Sequence, residues 1–256
     1  MIIEKEDYAD FVKREPNAVK YIKKLVGSTE FINNKERYCL WLVGASPAEI
    51  RKMPEVMKRV ELCKQDRLNS PDKGRQKLAE TPTLFREINN PDSFIIVPAV
   101  SSERRRYIPM GFLGKETIST NLNIIIPNAT LYHFGVLTSN VHMAWMRTVC
   151  GRLKSDYRYS KDIVYNNFPW PSSTPEQTAA IEQTAQMILD ARAQHPDCSL
   201  ADLYDETTMP PELRKAHQQN DKAVMKAYGF SVKMTESECV AELMKMYQKL
   251  TEELKY

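Results

Sequence analysis

The chain has 256 residues, of which 42% are hydrophobic and 27% charged, and its formal net charge is +3, which fits one large globular domain or two small ones. No apolar run approaches the roughly 20 residues of a membrane helix, and the N-terminus lacks the apolar core of a signal peptide, so we expect no membrane partner. The five cysteines are scattered without a C-x-x-C pair, which argues against zinc ribbons and disulfide frameworks and favours a reducing, cytoplasmic location.

The first elements predicted are two small helices and a strand. Tyr8–Lys24 is short, charged and interrupted by Pro16, which favours two helices separated at the proline. Arg37–Val43 is rich in strand-forming residues and ends at Gly44, as expected of a buried strand.

A longer helix follows this strand. Ser46 precedes a proline and has Glu49 three residues later, the pattern of a capping box with proline at the first helical position. The apolar spacing continues to about Leu68, but Pro54 falls inside it, so we expect the helix to kink or restart there. The basic stretch Ser70–Glu80 is expected to form a further short helix.

The apolar pattern then changes to that of strands. Ser93–Pro98, Tyr107–Leu113 and Leu122–Ile126 are strand candidates separated by turns, which predicts a meander-like sheet. Val136–Val149 is apolar on one face and is predicted to be a single helix.

The C-terminal third is predicted to be all helical. A boundary is expected at Tyr165–Pro175, because the Phe168–Pro171 stretch within it, with two prolines, cannot be helical. Three helices are predicted after it, spanning Pro175–Gln194, Pro211–Tyr228 and Glu236–Leu254. We therefore expect an α+β fold: a mixed domain over residues 1–165 with a small, largely antiparallel sheet, followed by a helical domain over residues 166–256.

Charge is distributed unevenly along the chain. Residues 51–115 carry 14 basic and 8 acidic side chains, a net charge of +6, whereas residues 166–256 have a net charge of −5. A basic middle segment suits a polyanionic partner such as nucleic acid, and the alternative is that these side chains lie on solvated helix faces.

The most informative segment is Ser101–Tyr107, which contains Glu103 and three successive arginines between two predicted strands. Arginine can donate two hydrogen bonds to guanine and glutamate can accept one from cytosine. Because side chains alternate along an extended segment, Glu103 and Arg105 would share one side and could read a base pair together. The alternative is an ordinary surface ion pair with solvated neighbours.

Motifs for catalysis are absent. The sequence has no P-loop, no G-x-G-x-x-G, no H-E-x-x-H and no G-x-S-x-G. His217, Asn220 and Asp221 would share one face of a helix, which could bind a metal or serve a hydrolase, but we expect a polar helix surface. No catalytic, cofactor-binding or metal-binding residue is therefore predicted on this chain.

Four separated groups of residues resemble one family, the MmeI-like DNA methyltransferases, which include the fused type IIL restriction–modification enzymes. The matching segments run in the family's order: Leu25–Phe31 with Arg37–Leu42, Val100–Leu113, Tyr159–Asp162 with Asn166–Pro171, and Leu203–Asp205 with Met209–His217. The first three groups resemble the target-recognition region, and the fourth resembles the helical C-terminal region.

The resemblance implies a parent enzyme that methylates adenine at N6 with S-adenosylmethionine, with or without a fused nuclease. The glycine-rich cofactor loop and the N-P-P-[YF] motif of that chemistry do not occur here, since Asn90-Pro91-Asp92 lacks the second proline and the aromatic residue. We therefore expect the chain to be the C-terminal part of a longer polypeptide whose missing catalytic domain binds the cofactor.

Two functions follow as hypotheses. In the first, the chain recognises double-stranded DNA, with Glu103 and Arg105 reading bases and Arg104 and Arg106 holding phosphates, or the reverse. The full set of predicted DNA-binding residues is Ser101, Ser102, Glu103, Arg104, Arg105, Arg106, Lys115, Arg158 and Lys161. In the second, the chain is a structural module without DNA affinity that packs on the methyltransferase domain or another subunit.

Overall fold

The computed structural model describes residues 1–253. They contain short strands and α-helices, and the helices have four to nineteen residues. The helices are α1 (Lys5–Arg14), α2 (Ser28–Ile32), α3 (Pro47–Arg51), α4 (Pro54–Leu68), α5 (Lys73–Lys77), α6 (Leu131–Leu137), α7 (Asn140–Val149), α8 (Pro175–Ala193), α9 (Leu200–Leu203), α10 (Pro211–Ala227) and α11 (Glu236–Glu253). The strands are β1 (Ile2–Glu4), β2 (Ile22–Val26), β3 (Arg37–Leu40), β4 (Ser93–Pro98), β5 (Val100–Ser101), β6 (Gly111–Gly114), β7 (Thr117–Ser119), β8 (Asn123–Pro127), β9 (Gly151–Leu153) and β10 (Asp156–Arg158).

The chain divides into two compact units, and each is built from discontinuous segments. The first unit comprises Met1–Val26, Lys35–Asp92 and Gly114–Thr120. The second comprises Gly27–Asn34, Ser93–Leu113 and the chain from Asn121 onward. The expected α+β class is confirmed, with small, mostly antiparallel sheets and a helical C-terminal region.

The first unit is a four-stranded sheet with helices packed on it. Its strand order is β1-β3-β2-β7; β3 pairs antiparallel with both β1 and β2, and β2 pairs parallel with β7. The core contains Phe11 of α1, Leu40 of β3 and Val56 of α4, all fully buried. The apolar faces of α1 and α4 are thus turned toward the core of this unit.

The prolines of this unit predict its helix starts correctly, but one strand was not predicted. Ser46 and Glu49 form the expected capping box, and the helix restarts at Pro54 as α4. After the first helix, the chain makes a 3₁₀ turn at Pro16–Tyr21 and then enters β2, a strand that the charged Tyr8–Lys24 segment did not predict. Pairing with β3 and β7 on both sides makes this sequence a strand despite its two lysines.

The second unit contains two three-stranded sheets and most of the helices. One sheet has the order β6-β4-β8, so the first strand in the sequence lies in the centre, and the expected meander is wrong. The strand predicted over Tyr107–Leu113 begins only at Gly111, because Tyr107 and Ile108 insert into the core and Pro109 has no N–H to donate. The other sheet has the order β5-β10-β9.

The helices of the second unit enclose one hydrophobic core with these sheets. The single helix predicted over Val136–Val149 is two helices, α6 and α7, because the Ser139 hydroxyl caps α7 by accepting the N–H of His142. The three C-terminal helices begin where predicted, α8 with a capping box and α10 with Gly229 at positive φ after its end. The predicted end of the last helix, Leu254, lies outside the described residues.

Helices α6 and α8 cross closely at Gly135. A Cβ atom at this position would lie 2.6 Å from Cγ2 of Ile181 and 3.0 Å from Oδ1 of Asn220. We expect Gly135→Ala to lower the free energy of unfolding by about 1–3 kcal/mol through overpacking, although alanine is the better helix former. Chemical denaturation measures this, with Gly151→Ala as the matched control because its nearest neighbours lie 4.0 Å away. Equal stability of both variants would contradict close packing at residue 135.

Candidate nucleic-acid interface

The Glu103–Arg106 segment is a turn and not an extended connection. The backbone N–H of Arg105 donates to the carbonyl oxygen of Ser102 at 3.1 Å, and the N–H of Arg104 donates to the Ser102 hydroxyl at 3.3 Å. These two bonds close a β-turn with Glu103 and Arg104 exposed at its tip. The expectation that strand alternation sorts these side chains is therefore wrong, and turn geometry decides which of them project.

The three arginines have different surroundings. Arg104 is exposed and Arg105 is half-buried. Burial lowers the pKa of Arg105, and the charges of Asp156 and Asp205 offset only part of this decrease. The guanidinium of Arg106 lies 5.7 Å from the centre of the Tyr107 ring. Among residues 1–253, none of the three guanidinium groups forms an ion pair with a carboxylate within 4.0 Å. Their guanidinium groups are therefore available to an anionic partner.

A hairpin lies beside this turn. Strand β10 pairs antiparallel with β5, with Tyr157 opposite Ser101, and β9 pairs with β10 on its other side, with Arg152 opposite Tyr157. The hairpin tip contains Lys154 at positive φ. All three residues of β9, which lies at one edge of this sheet, are exposed, and Arg152 is its basic residue.

A buried network of polar side chains holds the residue that follows the arginines. The hydroxyl of Tyr107 donates to Oδ2 of Asp221 at 2.6 Å, and the backbone N–H of Asn140 donates to Oδ1 at 2.7 Å. The Tyr107 ring also stacks on His217 with 4.1 Å between ring centres. Helix α10 thereby anchors the C-terminal end of the arginine segment in the core of the second unit.

The expectation that His217, Asn220 and Asp221 form a polar helix surface is wrong. The three residues are 0%, 0% and 6% exposed. His217 is hydrogen-bonded to the Tyr204 hydroxyl at 2.8 Å, and burial lowers its pKa well below the ordinary value, so the ring is neutral. Helical spacing correctly put them on one face, but that face is covered by α6, α7 and α8. The hydrolase alternative loses its basis, because neither His217 nor Asp221 reaches solvent as a nucleophile or base.

The other predicted DNA-binding residues are placed differently. Arg158 on β10 and Lys161, which follows it in a short turn of helix, are exposed on the second unit. Ser101 is 2% exposed, with a buried hydroxyl that has no hydrogen-bond partner among the described residues, and Ser102 serves the turn itself. Lys115 lies in the first unit with its Nζ 3.7 Å from Oδ1 of Asp92. The assignment of these residues to DNA binding stays a prediction.

One neighbour of the turn was not predicted. The guanidinium of Arg152 lies 4.1 Å from the centre of the Tyr157 ring, and its Nη1 lies 3.8 Å from Oε2 of Glu103. Residues 151–158 offered little signal, since two strands of three residues are too short for an alternating pattern and Lys154-Ser155 is not a characteristic hairpin turn.

Two further properties concern other kinds of site. In residues 1–253, no three histidine, cysteine or acidic side chains are arranged to hold a metal ion. No helix in that range combines the length and apolarity required to cross a bilayer.

Comparison with known proteins agrees with the resemblance found in the sequence. Residues 1–172 match the family model of the MmeI target recognition domain, and residues 173–255 match that of the MmeI C-terminal domain. These models meet seven residues beyond the boundary expected at 165/166, which itself stays a prediction.

Two relatives extend this match. DNA methyltransferase A of Bacillus subtilis (strain 168) is 43% identical over 247 residues, which are 96% of this chain and 28% of that protein. The solved structure of the type IIL restriction–modification enzyme MmeI in complex with DNA matches with a TM-score of 0.95 and 46% identity, covering 98% of this chain and 34% of that one. The chain thus spans about a third or less of these relatives. With both of its parts matched, the chain belongs to the MmeI family, as a target recognition domain followed by a C-terminal domain.

Proposed function

We propose that this chain recognises a specific sequence in double-stranded DNA as part of a DNA methyltransferase. The observation that carries the proposal is the turn between β5 and Tyr107, which presents Glu103 and Arg104 to solvent with Arg105 behind them. The match to an MmeI structure solved in complex with DNA supports the same assignment.

The side chains of this surface suit both parts of DNA recognition. Exposed cations such as Arg158 and Lys161 would contact phosphates and supply affinity that falls steeply with salt. Glu103 and Arg105 combine an acceptor with a two-pronged donor, which is the chemistry needed to distinguish base edges in the major groove.

We propose further that the reaction of the parent protein is the transfer of a methyl group from S-adenosylmethionine to N6 of adenine. The cofactor and catalytic motifs for that reaction are absent from this sequence, so this chain would contribute none of the reacting groups. Its contribution would be to hold the duplex in register while the target base is exposed to a catalytic domain, which is its expected protein partner.

The test begins with selection of bound duplexes from a random-sequence pool by the purified 256-residue chain. We expect a defined sequence to be enriched, and its binding to weaken at least about tenfold when Arg104, Arg105 and Arg106 are changed together to alanine. Fluorescence anisotropy at several salt concentrations gives the slope of log K against log[salt]. The magnitude of this slope should be smaller by about 2–3 for the triple variant than for the wild type.

The matched control changes Lys215, Lys222 and Lys226 to alanine. These three exposed lysines lie on α10, outside the turn. Replacing them removes the same net charge as replacing the three arginines. Specific binding that survives in the turn variant, or an equal loss in both variants, would refute the assignment. A wild-type chain that binds no duplex but binds the methyltransferase domain would favour the structural alternative.

A further inference from the structure

We propose that Arg152 is a positioning residue for Glu103: it holds the glutamate side chain of the turn in the orientation used to read a base. The inference rests on the proposed function and adds the β9–β10 hairpin to the specificity determinants. The evidence is the convergence of this hairpin and the Ser102–Arg105 turn through strand pairing.

Arg152 is held by its own hairpin before any contact with Glu103 is considered. Its guanidinium stacks over the ring of Tyr157, and its Nη1 donates to the carbonyl oxygen of Ser155 at 2.8 Å. The Tyr157 ring is itself buried, at 8% exposure, so the surface under the guanidinium is fixed. An arginine with a stacked face and one donated hydrogen bond has lost most of its freedom to follow a mobile partner.

Within the described part of the chain, Glu103 has no comparable restraint of its own. It occupies the exposed tip of the turn, and the hydrogen bonds described for the turn involve the backbone and the Ser102 hydroxyl. The ion pair with Arg152 joins two side chains that are 46% and 49% exposed, at 3.8 Å between Nη1 and Oε2. Such a pair contributes little to folding stability in water. The ion pair instead affects the orientation of Glu103, because a fixed cation favours one orientation of a mobile carboxylate.

The attraction between Arg152 and Glu103 would be stronger in the DNA-bound state. A duplex bound to the turn would exclude water from both side chains, and electrostatic attraction grows as the surrounding dielectric falls. Removing Arg152 would then leave the Glu103 side chain without this restraint on its orientation. The expected consequence is weaker discrimination at the base pair that Glu103 reads, rather than a general loss of affinity.

The experiment compares Arg152→Ala with Lys154→Ala. Both variants remove one exposed cation from the same hairpin, so a loss of general electrostatic attraction to DNA would change both salt-dependence slopes equally. The probes are the duplex enriched from the random pool by the wild-type chain and the set of duplexes that differ from it by one base pair. We expect Arg152→Ala to lower the affinity ratio at one position on the order of tenfold, whereas Lys154→Ala leaves every ratio unchanged.

Two additional variants separate positioning from direct contact. In a Glu103→Gln background, Arg152→Ala should cause no further loss of discrimination, because its effect runs through the glutamate. Arg152→Lys retains the charge but not the planar group that stacks on Tyr157, and it should recover only part of the discrimination. Thermal unfolding should change little in all the hairpin variants, because the contacts removed are exposed to solvent.

The outcomes are distinguishable from failure of the proposed function. If the wild-type chain enriches no sequence, the DNA-recognition proposal itself fails. If a sequence is enriched but Arg152→Ala and Lys154→Ala give identical ratios, only the role of Arg152 is refuted. A full loss that persists in the Glu103→Gln background would show that Arg152 contacts the base pair directly, which also overturns the positioning role.

Discussion

Replacement of Trp145 by alanine is expected to lower the free energy of unfolding by about 3–5 kcal/mol, the range for removal of a buried tryptophan. Trp145 of α7 is 2% exposed and packs against Phe168 and Tyr247, with ring centres 6.2 Å and 5.8 Å away. Its indole N–H donates to the carbonyl oxygen of Val164 at 2.9 Å. The side chain therefore joins α7, α11 and the segment before α8 in one core.

The matched variant is Trp145→Phe, which keeps an aromatic ring but removes the indole N–H and leaves the Val164 carbonyl without that donor. We expect a smaller loss, about 1–3 kcal/mol. Denaturant unfolding followed by circular dichroism measures both. A loss below about 1 kcal/mol for Trp145→Ala would mean that the C-terminal helices do not share a core with α7.

Asp221→Asn is expected to stabilise the protein at pH 8, by up to about 3 kcal/mol. Burial raises the pKa of Asp221 to about 6 from an ordinary value of 3.8, although hydrogen bonds from Tyr107 and Asn140 and the charges of Arg106 and Arg147 oppose the rise. Each pKa unit corresponds to about 1.4 kcal/mol, so the ionised carboxylate is costly in the folded state. Asparagine keeps an oxygen for the Asn140 N–H and places an amide near the Tyr107 hydroxyl without a buried charge.

The sign of the pH dependence follows from the raised pKa. The native state binds the proton more tightly than the unfolded state, so the contribution of Asp221 is complete below pH 3.8 and is lost as pH rises through about 6. The difference between Asp221→Asn and the wild type should therefore grow between pH 4 and pH 7. Urea titrations across this range measure it, and Asp221→Ala, which leaves two donors unpaired, should be less stable than Asp221→Asn throughout. An asparagine variant that is less stable at pH 8 would indicate that the carboxylate acts mainly as a partner of Arg106 and Arg147.

Local rules predicted a large part of the fold from the sequence. Caps and prolines placed the starts of α3, α4, α8 and α10 correctly, because these signals act through hydrogen bonds within a few residues. The segments that failed are those whose structure depends on a distant partner. Strand β2 carries two lysines and is a strand because β3 and β7 lie on either side of it.

The candidate site divides in the same way. The cluster Glu103–Arg106 was singled out from its residue types, and in the structure Glu103, Arg104 and Arg106 are exposed at or beside a turn. The neighbour of Glu103, Arg152, could not be found, since 49 positions separate them in the chain and pairing of β5, β10 and β9 brings them together. Pairing over such distances leaves little trace in a single sequence.

The sequence by itself determined the α+β class, the starts of α3, α4, α8 and α10, the absence of catalytic motifs and the family, because each depends on residue types at short or characteristic spacing. Only the tertiary structure decided that His217 and Asp221 are internal and that Tyr107 anchors the arginine turn. A helical pattern shows which residues share a face, but whether water or another helix covers that face depends on contacts with the rest of the chain. For the acidic and basic side chains of this protein, that coverage decides which of them support the core and which lie on the surface proposed to bind DNA.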